Sequence, residues 1–147
     1  SYNVVEFNRD FLLDMIKKHV DIVFANEEEA RALTSMLPAD AVHEIAKMCR
    51  IAVVKTGAEG SLIKSGNQLE KIAARKTRAI DTTGAGDNYA SGFLYGHSLG
   101  WSLKQCAQLG TIMASKVIEV TGTTMDANTW NWIHFQRELI KENTFNF

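Results

Sequence analysis

Residues 81–92 contain the groups with the clearest chemical potential in the sequence. Gly84 and Gly86 have no side chain, so peptide N–H groups there can converge on an anion without steric obstruction. Helix-forming residues resume at Asp87, which predicts that these N–H groups lie at a helix N-terminus, where the helix dipole favours negative charge. The carboxylate of Asp87 repels phosphate, and a role as general base would explain its presence, because it could accept the proton of a substrate hydroxyl.

The same residues also fit a purely structural interpretation. Gly84 and Gly86 are typical of a turn, and Asp87 is a residue type that commonly caps a helix. The segment matches neither the phosphate-binding pattern G-x-x-x-x-G-K-[ST] nor the dinucleotide-binding pattern G-x-G-x-x-G. From residue chemistry alone, the structural interpretation is the favoured one.

The elements that must position these residues follow from the spacing of apolar side chains. Helical spacing predicts helices after Asn8, on both sides of Pro38, from residue 87, through residues 103–118 and around residues 130–140. Short apolar runs predict strands at residues 21–25 and 51–54, and residues 61–64 and 68–73 predict a hairpin around Gly66. Strands that alternate with helices indicate an α/β fold in three α/β/α layers with a mostly parallel sheet.

Composition and charge narrow the class of protein. Of the 147 residues, 46% are apolar and 22% charged, which indicates a globular domain over residues 1–147 and excludes a disordered tail. The net charge of −1 argues against a nucleic-acid partner, and no uncharged apolar run approaches the ~18 residues of a membrane helix. Cys49 and Cys106 form no C-x-x-C pair and both fall on apolar helical stripes, which favours a reducing, cytoplasmic location.

Three segments together carry a resemblance to a known family. Residues 81–87, D-T-T-G-A-G-D, followed by Tyr89 and by Gly92 and Phe93, resemble the C-terminal signature of the PfkB, or ribokinase-like, carbohydrate kinases. N-E-E-E at residues 26–29 resembles the N-x-x-E motif of that family, and V-V-K-T-G-A-E-G at residues 53–60 resembles its nucleotide-binding strand and turn. The sequence is therefore identified as the C-terminal part of a member of this family, with a ribokinase-like fold.

The resemblance implies ATP-dependent phosphorylation of a hydroxyl on a sugar, a nucleoside or a similar small molecule. On the matching positions, Asp87 would be the catalytic base. Gly84, Ala85 and Gly86 would supply the anion hole for the transferred phosphoryl group. The acceptor molecule stays undetermined, because the matching segments contain little that selects it.

The resemblance also implies nucleotide and metal contacts. Glu29, with Asn26, would act through water on Mg²⁺ and the phosphates of ATP, because Mg²⁺ prefers oxygen ligands and keeps several waters. A capped helix start explains the same two residues without any ligand. Lys55, Gly57 and Gly60 would border the nucleotide, although an ordinary turn needs the same glycines and Lys55 could be a solvated lysine at a strand end.

The resemblance implies two further features less strongly, a site for a monovalent cation and a region that encloses adenine. Asp81 and Thr83 match the first part of the K⁺ site of the family, and a strand-end turn explains Asp81 equally well. Residues 110–115 and 122–123 fall where the family encloses adenine, and the packing of small residues explains them too. Arg75, Lys76 and Arg78 precede the signature and could meet phosphate, but a solvated strand edge is the favoured expectation.

Family members are usually much longer, and nothing before Asp21 resembles their first half, which contains the substrate site and the lid strands. We therefore expect a part of a longer kinase whose N-terminal substrate and lid part is absent and which is inactive as an isolated fragment. Any homodimer would form through that missing lid region. The alternative is a non-catalytic nucleotide-binding or regulatory module that kept the fold, for which ATP binding without phosphoryl transfer would be diagnostic.

Overall fold

The computed structural model describes residues 2–146 in two compact units, one ending at Lys71 and one beginning at Ile72. Each unit has its own apolar core. In the first unit, Ala30, Val42, Ile45 and Val54 are fully or almost fully buried; in the second, Ile112, Val117 and Ile140 are. Among residues 2–146, the helices all fall short of the length and apolar character needed to cross a bilayer.

The first unit alternates helices with strands. Its helices are α1 (Tyr2–Phe7), α2 (Arg9–His19), α3 (Glu27–Thr34) and α4 (Pro38–Ala46). Its strands are β1 (Ile22–Asn26), β2 (Ile51–Lys55), β3 (Ser61–Ser65) and β4 (Gln68–Ile72), the last of which reaches the unit boundary.

The four strands form one sheet in the order β1-β2-β3-β4. Strand β2 pairs in parallel with β1 and antiparallel with β3, and its first four residues are buried, as the continuous apolar run predicts. The α/β class is confirmed, and the described sheet is mixed rather than mostly parallel. The reason is two short connections. A tight loop at residues 56–60 leads β2 into the antiparallel β3, and a two-residue turn at Gly66 and Asn67, with Gly66 at φ +54°, leads β3 directly into β4.

Several element boundaries differ from the sequence expectation. Helix α1 was not predicted; because it precedes Asn8, the Asn8 side chain donates to the Val4 carbonyl oxygen at 2.9 Å instead of capping α2. The helix predicted to reach Cys49 ends at Ala46, so the placement of Cys49 on a helical stripe is wrong. The Cys49 Sγ lies 3.3 Å from the carbonyl oxygens of Ile45 and Ile51 in the turn that leads into β2.

The described part of the second unit contains the helices α5 (Ala85–Ser98), α6 (Leu103–Val117) and α7 (Ala127–Lys141). Helices α5 and α6 approach closely at two glycines. A Cβ atom added at Gly92 would lie 2.9 Å from the Leu109 carbonyl oxygen, and one added at Gly110 would lie 2.8 Å from the Tyr89 carbonyl oxygen. Because both obstacles are backbone atoms, this contact fixes the position of α5, whose first turn contains the signature.

Candidate active site

Helix α5 begins at the signature, two residues earlier than predicted. Gly84 is its N-cap residue and has φ +75°, a left-handed conformation that favours glycine. A Cβ atom at this position would also lie 2.7 Å from the Thr123 Cγ2 atom. Gly84 is therefore required twice, once by its conformation and once by the close approach of the loop that follows α6.

The peptide N–H groups around Gly84 have different partners. The Ala85 N–H donates to the Thr82 carbonyl oxygen at 3.2 Å. Asn88 donates twice to the Gly84 carbonyl oxygen, from its backbone N at 2.9 Å and from its side-chain Nδ2 at 3.0 Å. No acceptor within residues 2–146 is recorded for the N–H groups of Gly86 and Asp87, which are free first-turn donors at the start of a helix.

The Asp87 side chain lies on the exposed side of α5. It occupies the third helical position, two residues before the buried Tyr89, and helical geometry places these two side chains on opposite faces. The cap position belongs to Gly84, and no hydrogen bond or ion pair to the Asp87 carboxylate is recorded in the described part of the chain. The arrangement leaves a carboxylate next to two free N–H donors, which suits an incoming hydroxyl and a bound anion.

The Asp81 side chain connects the signature loop to the loop after α6. Its Oδ1 accepts the Thr83 N–H and its Oδ2 accepts the Gly122 N–H, both at 2.9 Å. Hydrogen bonds from Thr83 and from the Gly122 N–H lower the pKa of Asp81 to about 2. The ionised carboxylate thereby holds the signature loop against the loop after α6.

The pKa of Asp81 predicts a defined pH dependence. The folded protein keeps Asp81 ionised down to about pH 2, whereas the unfolded chain protonates it near its ordinary value of 3.8. Its contribution to stability is therefore complete above pH 3.8 and is lost as the pH falls towards 2. An NMR titration of the Asp81 carboxyl carbon should give a midpoint near 2; a midpoint near 3.8 would contradict the hydrogen bonds, and Asp81→Asn should flatten the fall in melting temperature over this range.

Asn26 and Glu29 form a reciprocal capping box at the start of α3. The Glu29 N–H donates to Asn26 Oδ1 at 2.8 Å, and the Asn26 N–H donates to Glu29 Oε2 at 3.0 Å. Asn26 is the last residue of β1 and lies opposite Lys55, the last residue of β2. Because β1 and β2 are parallel, these residues share the carboxyl edge of the sheet, where open α/β sheets bind ligands.

The loop after β2 extends the same edge. Gly57 and Gly60 have φ +56° and +109°, and a 3-10 turn (Gly57–Glu59) lies between Thr56 and Gly60. The Thr56 N–H donates to the Gly60 carbonyl oxygen at 2.8 Å and closes the loop. The first unit therefore brings together all five residues predicted to contact nucleotide and magnesium.

A cavity of about 460 Å³ lies at the other end of these two strands. It is lined by the segments that precede β1 and β2, including Lys17, His19, Asp21 and Arg50, and by none of the predicted site residues. Within residues 2–146, no group of three or more His, Cys, Asp or Glu side chains is arranged to hold a metal ion by itself.

A charged cluster in the second unit was not predicted. Glu119 accepts hydrogen bonds from Arg75 Nη1 at 3.2 Å, from Lys116 Nζ at 2.6 Å and from the Thr77 hydroxyl. The Arg75 and Lys116 cations lie 4.8 and 4.6 Å from the centre of the Trp132 ring. The expected strand edge is wrong, because the segment of Arg75, Lys76 and Arg78 forms no strand. Lys76 and Arg78 are exposed, as expected, whereas Arg75 is half-buried. Glu119 is 44 residues away from Arg75, and local patterns give no signal for such a contact.

Comparisons with known proteins agree with the predicted resemblance. The family model described as pfkB family carbohydrate kinase matches residues 6–130. The chain is 36% identical over 111 residues to an uncharacterized sugar kinase from Archaeoglobus fulgidus, covering 75% of this chain and 44% of that protein.

Solved structures of kinases also resemble this chain. The adenosine kinase from Sinorhizobium meliloti superposes with a TM-score of 0.85 and 34% identity, covering 92% of this chain and 42% of that one. The Arabidopsis thaliana ribokinase complexed with ribose and ATP has a TM-score of 0.72 and 25% identity, covering 82% of this chain and 42% of that one. The ribokinase-like fold is thereby confirmed, over less than half the length of each protein.

Proposed function

Because the chain belongs to the pfkB family of carbohydrate kinases, we propose that the full-length protein transfers the γ-phosphate of ATP to a hydroxyl group of a sugar or a nucleoside. One observation carries the proposal: the exposed Asp87 carboxylate, without a recorded partner in residues 2–146, adjoins the free N–H groups of Gly86 and Asp87. Relatives named as a sugar kinase and an adenosine kinase support the class of acceptor, and the ribokinase bound to ribose and ATP supports the donor. The activity is proposed for the full polypeptide and not for residues 1–147 alone.

Asp87 is the catalytic base in this proposal. Its carboxylate accepts the proton of the acceptor hydroxyl as the oxygen attacks the γ-phosphorus, and so increases the nucleophilicity of that oxygen. Its exposed position on the first turn of α5 supports this role, because a substrate can reach it. The bond between the γ-phosphorus and the bridging oxygen breaks, and ADP leaves.

The start of α5 stabilises the transferred phosphoryl group. The N–H groups of Gly86 and Asp87 donate to its oxygens, where negative charge is present in the transition state. Gly84 supplies the left-handed cap that aims them. Ala85 contributes mainly by shaping the turn, because its own N–H already donates to Thr82.

The carboxyl edge of the first unit binds the nucleotide and its metal in this proposal. Lys55, Gly57 and Gly60 would border the nucleotide, and Glu29, held by its capping box with Asn26, would act on Mg²⁺ through bound water. A single carboxylate fits Mg²⁺, which usually keeps several waters and takes the remaining ligands from phosphates. When bound, Mg²⁺ neutralises phosphate charge during transfer.

The proposal extends to K⁺ at Asp81 and Thr83. The supporting observation is the position of the Asp81 carboxylate, which lies between the signature loop and the loop after α6 and accepts an N–H from each.

The direct test is a transfer assay of the full-length protein with ATP and Mg²⁺ against a panel of sugars and nucleosides. We expect ADP formation that depends on one class of acceptor, in parallel with phosphorylated product. Tight ATP binding with no transfer to any member of the panel would contradict the proposal and favour the non-catalytic nucleotide-binding module. Replacing K⁺ with a larger organic cation in the same assay tests the monovalent-cation site.

Glu29→Gln separates the structural role of Glu29 from its proposed metal role. Glutamine preserves the capping box, so the free energy of unfolding should stay unchanged. The lost charge should raise the Mg²⁺ concentration required for half-maximal activity by about tenfold, as for other groups that act on a metal through water. Glu28→Gln is the matched control, because it removes the same charge from an exposed neighbour in the same helical turn. Equal Mg²⁺ dependence in the two variants would remove Glu29 from the site.

A further inference from the structure

The segment that leads into the signature has no regular secondary structure. Residues 73–80 lie between the end of β4 and the signature and form neither helix nor strand. Such a segment has no ladder of backbone hydrogen bonds to fix its path, so its position depends on contacts with other elements. The described contacts that hold it come from residues 116–122, at and just after the end of α6, and from Trp132 on α7.

The backbone supplies the first of these contacts. The Ile118 carbonyl oxygen accepts the N–H groups of Ile80 at 2.7 Å and Asp81 at 3.3 Å. The Asp81 carboxylate in turn accepts the N–H of Gly122 and of Thr83. The end of α6 is thereby connected through Asp81 to the turn that begins α5.

Glu119 supplies the second contact, to the earlier part of the segment. One of its carboxylate oxygens accepts from both Arg75 and Thr77, and the other accepts from Lys116 on α6. Burial raises the pKa of Glu119, but hydrogen bonds from Lys116 and Thr77 outweigh burial and hold it below its ordinary value. The carboxylate therefore stays charged and bridges α6 to residues 75–77.

The location of this carboxylate is electrostatically unfavourable by itself. Glu119 lies two residues after the last residue of α6, and the C-terminal end of a helix dipole disfavours negative charge. The Arg75 and Lys116 cations compensate, and both also lie against the Trp132 ring of α7. The arrangement is a bridge between three separate parts of the second unit: residues 75–77, the end of α6 and α7.

We propose that Glu119 is a positioning residue for phosphoryl transfer, which holds Thr77 and Arg75 on the end of α6 and so fixes the loop that places the free N–H donors and Asp87. This inference rests on the proposed function. It predicts that loss of the bridge lowers kcat much more than it changes KM for ATP, because donors and base act in the transition state. A small displacement of such groups is sufficient for a large loss of rate.

The test uses the full-length protein and a pair of variants at Thr77. Thr77→Val removes the hydroxyl that donates to Glu119 while preserving side-chain shape, and Thr77→Ser retains the hydroxyl. We expect Thr77→Val and Glu119→Gln to lower kcat by about tenfold or more. Thr77→Ser should keep kcat close to the wild-type value, because it retains the hydroxyl. Hydrogen exchange of the hydrogen-bonded amides of Ile80, Asp81, Thr83 and Ala85 should be about tenfold faster in the two impaired variants, because the loop opens more readily.

Glu138→Gln is the control for charge removal. Glu138 pairs with Arg137 on α7 and has no recorded contact with residues 73–87. This variant should leave both kcat and the exchange of the same amides unchanged. Unchanged exchange in Thr77→Val and Glu119→Gln would overturn the bridge, and faster exchange with normal kcat would overturn its catalytic importance. Absence of transfer by the wild-type protein is a different result, which contradicts the proposed function itself.

Discussion

Asp87→Asn is expected to lower kcat of the full-length protein by about 10²–10⁴-fold, the range that general-base catalysis contributes. Asparagine has nearly the same shape but cannot accept the proton of the acceptor hydroxyl. The binding of ATP should remain close to that of the wild type, because the variant retains the backbone donors at the start of α5. The measurements are steady-state kinetics for kcat and calorimetric titration for the dissociation constant of ATP.

Asp126→Asn is the matched control for this variant. Asp126 is also an exposed aspartate at the start of a helix in the second unit, where it accepts the Thr129 N–H at 2.7 Å and caps α7. Asparagine is an equally good N-cap residue, so neither stability nor kcat should change appreciably. Near-normal kcat in Asp87→Asn would refute its assignment as the base, whereas an equal loss in both variants would point to a general effect of charge.

Phe93→Ala is expected to reduce the free energy of unfolding by about 3–5 kcal/mol, the usual range for a buried phenylalanine. Phe93 is fully buried on α5 and its ring stacks near Tyr89, with ring centres 6.4 Å apart. The cavity left by truncation cannot be filled by a closer approach of α6, because Gly92 and Gly110 already bring the two backbones into contact. Denaturant unfolding of the full-length protein measures the effect.

Phe135→Ala provides the comparison at an exposed site. Phe135 lies on α7 and retains 61% of its accessible surface, so its truncation should change the free energy of unfolding by no more than about 0.5 kcal/mol. A similar loss in the two variants would contradict the burial of Phe93. Because Phe93 anchors the helix whose first turn contains Asp87, its truncation should also reduce any phosphoryl-transfer activity.

Local sequence patterns were sufficient to predict most of the helices and strands of the first unit. The apolar run of β2 predicted a strand buried on both faces, Pro38 predicted the start of α4, and Gly66 predicted the hairpin turn. The start of α5 was predicted two residues late. Glycine is a poor helix former, so the sequence places the helix start after Gly86, whereas tertiary packing of α5 on α6 extends the helix back to Ala85.

The local sequence motif predicted only part of the candidate active site. The motif predicted the glycines and Asp87, and their catalytic roles stay predictions. It did not indicate that the Ala85 N–H has a partner while the Asp87 N–H has none, because this depends on the turn geometry set by Gly84. The Glu119 bridge joins residues more than 40 positions apart and follows no periodic pattern, so only the folded structure could reveal it.

The double hydrogen bond from Asn88 to the Gly84 carbonyl oxygen has one more consequence. The peptide plane between Gly84 and Ala85 is held at both ends, by Asn88 on its oxygen and by Thr82 on its nitrogen. That plane cannot rotate without breaking three hydrogen bonds. In the proposed reaction, an arriving phosphate would therefore meet dipoles that are already oriented, and little of its binding energy would be consumed by rearranging the protein.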